Sequence, residues 1–116
     1  MLHDPAKFYA SWPSEMNAMK AAAPEVGKAF GPFFQSLMKE GALSVREKEL
    51  IALGIGIALR CEPCIYSHVE KCLKSGATPA QVMEAAGVAV IMQGGPAYTY
   101  TPIVARALEH LATPAA

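Results

Sequence analysis

Cys61-Glu62-Pro63-Cys64 sets two thiols three positions apart, and His68 follows four residues after the second. That spacing allows the ~5.5 Å Cα separation a disulfide needs, so the pair can cycle between dithiol and disulfide. Cys64 is expected in the first turn of a helix, where unpaired N–H groups and the helix dipole favour a thiolate. Pro63 suits such a turn because its missing N–H would have no partner there. His68 then lies one turn on, on the same face, where an imidazole can take the thiol's proton and return it to a leaving group. Three cysteines cannot all pair with one another, and in a reducing compartment they read as catalytic, metal-bound or inert. Cys72 continues the Cys64–His68 stripe and reads as a buried small hydrophobe. A metal reading stays open: Cys61, Cys64 and His68 offer three ligands, with Glu49 or Cys72 as a fourth. A structural zinc site usually draws its second ligand pair from a separate segment.

These side chains must be positioned by helices, because no period-2 run bounded by turn residues marks a strand. Residues 1–12 read as an irregular arm carrying Phe8, Tyr9 and Trp12, with Pro13 near the start of a short helix to Ala22. From Pro24, the apolar positions Val26, Phe30, Phe33, Phe34, Leu37 and Met38 recur at helical spacing; Gly31-Pro32 is expected to break or kink that helix and Gly41 to stop it. Ser44-Val-Arg-Glu47 is a capping box ahead of a helix to about Leu59 that is apolar all round and so expected to be buried on every side. Gly54 and Gly56 each weaken it by about 1 kcal/mol, which points to a neighbouring backbone passing close. The Cys64 helix runs to about Ser75 with Gly76 just past its end, its wet face carrying Ser67, Glu70, Lys71 and Lys74. Thr78-Pro79 opens a helix to about Gln93, whose half Ala85–Met92 has no polar face. Gly94-Gly95-Pro96 breaks the chain, and a last helix ends near Leu111. The expectation is one all-α domain, a bundle of about six helices over residues 1–116.

The set Glu49, Cys61, Cys64 and His68, with Gly94-Gly-Pro-Ala-Tyr98 downstream, resembles the alkylhydroperoxidase D branch of the carboxymuconolactone decarboxylase superfamily over about residues 44–108. The resemblance implies that Cys64 attacks a hydroperoxide and that Cys61 resolves the product as a disulfide. It also implies that His68 is the base and that Glu49 orients or recharges it. It implies no cofactor, a thiol or dithiol protein as reductant, and a homo-oligomer, either a trimer or a hexamer built from dimers. Pro63 stands where that branch carries a second histidine, and the decarboxylase branch lacks the cysteine pair. By periodicity alone, Glu49 is an ordinary first-turn helix acid. Twelve residues of helix span ~18 Å, whereas His68 lies only ~6 Å below Cys64. To meet, the two helices must cross steeply or the first must end before Cys61. Two other readings of the same residues remain: a C-x-x-C electron-transfer protein without peroxidase activity, and a metal-binding helical module.

Composition narrows the field further. Of 116 residues, 53% are apolar and 17% charged, which excludes a disordered chain. Ten basic residues balance ten acidic ones, so no basic field holds nucleic acid. No apolar stretch approaches the ~20 residues of a bilayer span. Met1–Lys7 lacks the pattern of a signal peptide, so a cytoplasmic protein is expected. High apolarity without net charge also suits a subunit partly covered by copies of itself.

Overall fold

The computed structural model describes residues 4–112 and, among them, shows helices and no strand. Six are full elements: α1 (Pro5–Ala22), α2 (Pro24–Met38), α3 (Val45–Ala58), α4 (Glu62–Lys74), α5 (Pro79–Gln93) and α7 (Thr101–Ala112). Between the last two, α6 (Gly95–Tyr98) is a single turn following Gly94 at φ +86°. The all-α expectation of about six helices holds.

Local chemistry sets the boundaries. The Ser44 hydroxyl accepts from Glu47 N at 3.1 Å, and the Glu47 carboxylate accepts from Ser44 N at 2.8 Å. Thr78 and Gln81 form the same reciprocal pair ahead of α5, each such cap being worth about 1 kcal/mol. Gly76, at φ +97°, ends α4 in a Schellman turn: Ala77 N bonds the Cys72 carbonyl and Gly76 N the Leu73 carbonyl. The core lies where α3, α4, α5 and α7 meet, around Leu53, Ile57, Ile65, Val69, Val82 and Val104.

The N-terminal region departs from the expected irregular arm. Asp4 caps a single helix by accepting from Lys7 N at 3.1 Å, and Pro5 opens it. Phe8 and Tyr9 pack against Tyr66 with ring centroids 4.8 and 5.7 Å away, and the Tyr9 hydroxyl donates to the Tyr66 carbonyl at 2.6 Å. An interior proline costs about 3 kcal/mol. Packing the two partly buried rings of Phe8 and Tyr9 on Tyr66 offsets part of the Pro13 penalty, and the helix runs through it. His3 and the other residues of 1–3 lie outside the described residues.

Helix α2 likewise continues through Gly31-Pro32 and ends at Met38, before Gly41. Lys48 of α3 donates its ammonium to the carbonyls of Leu37 and Lys39, satisfying the end of α2 from outside. No residue of α2 is buried, and Val26, Phe30, Phe33 and Leu37 are each more than half exposed. Within one chain α3 is not buried on every side as expected, and α5 is open as well. Ile51 and Ile55 of α3 are 51% and 55% exposed, and Val88 and Met92 of α5 are 62% and 80% exposed. One layer of neighbours covers only one side of a helix, and the uncovered sides form an apolar groove of about 370 Å³ between α3 and α5.

Candidate active site

Cys61 is held at both ends. Its N–H bonds the Gly56 carbonyl and Arg60 N bonds the Ile57 carbonyl, both at 3.0 Å, which is a Schellman turn closing α3. Arg60 occupies the left-handed position at φ +55° where glycine is usual. Cys61 is at the same time the N-cap of α4: its sulfur accepts from Cys64 N at 3.3 Å and its carbonyl from Ile65 N. One residue thus ends a helix and starts the next, with Pro63 in the first turn as expected.

Cys61 and Cys64 are joined by a disulfide, with Cα atoms 5.2 Å apart. Gly56 explains how α3 passes this pair. A Cβ built there would lie 3.0 Å from the Cβ of Cys64, so only glycine lets the helices approach so closely. Gly54 makes no comparable approach, its nearest neighbour being the Ala85 carbonyl at 3.8 Å.

His68 sits one turn beyond Cys64, and its Nδ1 lies 2.6 Å from Oε1 of Glu49. Glu49 is 5% exposed, a buried carboxylate whose partner is this imidazole. With the carboxylate ionised, Nδ1–H donates and the basic lone pair is left on Nε2. The structure therefore brings Glu49 and His68 together and seats Cys61, Cys64 and His68 on one helix. Of the two routes open to the chain, it takes the second: α3 ends before Cys61.

Cys72 is buried, and burial followed by the nearby Glu49 charge pushes its thiol up to about 12. A thiol so raised is inert at neutral pH, in keeping with a small core residue. Among the described residues, no three His, Cys, Asp or Glu side chains are grouped to hold a metal ion. Two neighbours of the site carry no signal in the α4 pattern. Phe34, which periodicity treats as one more apolar residue of α2, stacks on His68 with centroids 6.4 Å apart. Lys71, assigned to the wet face, places its ammonium 4.4 Å from the centre of the Phe34 ring.

This helical chain, with its cysteine pair and carboxylate–imidazole contact, matches the carboxymuconolactone decarboxylase family over residues 24–108, and the protein belongs to that family. It is 37% identical over 79 residues to "Uncharacterized protein 4 in cox locus" of Paracoccus denitrificans, covering 68% of this chain and 71% of that one. The crystal structure of apo-lpg0406 of Legionella pneumophila, a protein of the same family, superposes with a TM-score of 0.88 at 29% identity, covering 94% of this chain and 97% of that one. A Thermotoga maritima family member, whose description suggests an involvement in antioxidative response, gives a TM-score of 0.68 at 30% identity over 72% of this chain and 87% of its own.

Proposed function

We propose that the protein is a thiol-dependent hydroperoxide reductase. The observation that carries this reading is the part-buried hydrogen bond from Glu49 of α3 to His68 of α4, the helix that bears Cys64 and is capped by Cys61. In the dithiol form, His68 Nε2 takes the proton of Cys64, and the thiolate attacks one oxygen of the hydroperoxide. The O–O bond breaks, Cys64 becomes a sulfenic acid, and the departing alkoxide takes the proton from His68 to leave as an alcohol. The Cys61 thiol then attacks the sulfenic sulfur, forming the disulfide and releasing water. A thiol or dithiol protein supplies two electrons to restore the pair and is itself oxidised to a disulfide. Glu49 holds the imidazole tautomer and stabilises its charged form during the transfer.

The same reading includes a homo-oligomer, since Ile51, Ile55, Val88 and Met92 line an uncovered apolar surface. A stable monomer at micromolar concentration in sedimentation would count against that part.

Peroxide consumption with added dithiothreitol tests the chemistry. Cys64→Ser is expected to abolish turnover, and Cys61→Ser to allow one reaction and trap Cys64 as a sulfenic acid. Multiple turnover by both single variants overturns the assigned roles. Disulfide exchange with no peroxide consumption by the parent protein would make the pair an electron carrier instead.

A further inference from the structure

We propose that Phe34 is a positioning residue for the Glu49–His68 pair: its ring fixes the plane of the imidazole. The inference deepens the peroxidase reading and rests on it for the catalytic use of His68.

Helix α2 has no buried residue, yet its Phe34 is half-covered while Phe30 and Phe33 stay mostly exposed. Beside Phe30 of its own helix, whose ring centroid is 5.8 Å away, Phe34 packs against the site. Its ring lies at 27° to the His68 imidazole with centroids 6.4 Å apart, inside the range of stacked aromatic pairs. The ammonium of Lys71 stands 4.4 Å from the same ring's centre, within cation–π reach. His68 and Lys71 are three residues apart on α4, hence neighbours on one face, so α4 grips a single ring of α2 with two side chains. The Glu49 bond fixes one atom of the imidazole, and the stacked ring fixes its plane. Together they define the direction of Nε2.

Phe34 also stands at the surface beside the pair: a groove of about 560 Å³, open to solvent, runs past Phe34, Met38 and Val45 and reaches Glu49.

The test uses the full chain with Phe34→Leu, Phe34→Tyr and Lys71→Gln, each checked for an intact fold by thermal melting. The first readout is the downfield NMR resonance of the proton shared by His68 and Glu49, together with its exchange with water. The second is the single-turnover rate of the reduced protein with tert-butyl hydroperoxide. Phe34→Leu is expected to shift and broaden the resonance, because the imidazole plane is no longer fixed, and to slow the reaction about 10-fold, within the ~10² that a 1 Å misplacement can cost. Phe34→Tyr, which keeps the ring, is expected to preserve both, and Lys71→Gln to move both in the direction of Phe34→Leu by a smaller factor. A folded Phe34→Leu with an unchanged resonance and rate overturns the proposal. Should that variant fail to fold, an unchanged Lys71→Gln overturns it instead. If the parent protein does not react with peroxide, the peroxidase reading falls, while the resonance still decides whether Phe34 positions His68.

Discussion

Changing Gly56 to alanine probes the contact on which the redox pair is seated. The new Cβ would meet the Cβ of Cys64 at 3.0 Å, with the Cys64 carbonyl carbon at 3.7 Å and Ile65 N at 3.8 Å. Carbon atoms pack best at about 3.5–4.0 Å, so α4 must give by a few tenths of an ångström at this point. The atom met first is fixed to the α4 backbone, so the strain cannot be relieved by swinging a flexible side chain aside. Overpacking of this kind costs about 1–3 kcal/mol, while replacing a mid-helix glycine by alanine returns about 1 kcal/mol. The net expectation is a loss of about 0–2 kcal/mol. Gly87 in α5 is the control, because nothing lies within 4 Å of a Cβ built there. Gly87→Ala should therefore be stabilised by about 1 kcal/mol, leaving the two variants about 1–3 kcal/mol apart in urea unfolding. Displacing Cys64 should also slow the reaction of the reduced Gly56→Ala protein with hydrogen peroxide, by less than the ~10²-fold that a 1 Å misplacement can cost. If Gly56→Ala matches Gly87→Ala in stability and the parent in rate, the close seat and the reasoning built on it are refuted.

Glu49→Gln keeps the size of the side chain but removes the charge that stabilises the imidazolium, so the peroxide reaction should slow by about 10²–10⁴-fold, as should that of His68→Gln. Because the two act as a unit, the double variant should be no slower than the worse single one; additive losses in stopped-flow rates would separate them. The Cys72 thiol, ordinarily at 9.0 and here pushed up to about 12, stays protonated in the fold at pH values where the unfolded chain has lost that proton. Its contribution to stability is therefore complete below about pH 9 and lost as the pH rises towards about 12, with Tyr66 adding to the same limb above about pH 10. Melting curves across that range should fall less steeply for Cys72→Ala than for the parent, and parallel curves would show that Cys72 does not titrate as described.

Much of the fold is legible because its signals are local. Ser44 with Glu47, Thr78 ahead of Pro79, and Gly76 after the Cys64 helix mark boundaries by hydrogen bonds between residues at most five apart, and the structure forms them, the Thr78 cap with Gln81. The failures come where tertiary contact overrides a local rule. Pro13 reads as a helix start, yet the packing of Phe8 and Tyr9 on Tyr66 carries α1 through it. Gly41 reads as the end of α2, yet Lys48, nine residues beyond Lys39, supplies the cap. Burial of an apolar helix is equally non-local, since the number of neighbours available to α3 and α5 is not written in either segment.

The site divides along the same line. The disulfide and the position of His68 follow from spacing within one helix, whereas the Glu49 contact depends on how two helices run past each other. Gly56 faces Cys64 and Glu49 faces His68, so the chain direction along α3 is opposite to that along α4 and the two form an antiparallel hairpin. From Gly56 back to Glu49 the rise is about 10.5 Å, and from Cys64 on to His68 about 6 Å. The remaining ~4.5 Å is within the combined reach of a glutamate and a histidine side chain, which is how a residue twelve positions from Cys61 arrives at the imidazole. The reversal itself turns on Arg60, an L residue in the left-handed region that closes α3 just before Cys61. The linear pattern ends this helix near Leu59, as the structure does at Ala58, but arginine gives no glycine signal for the reversal, so the direction of the next helix is what the pattern leaves open.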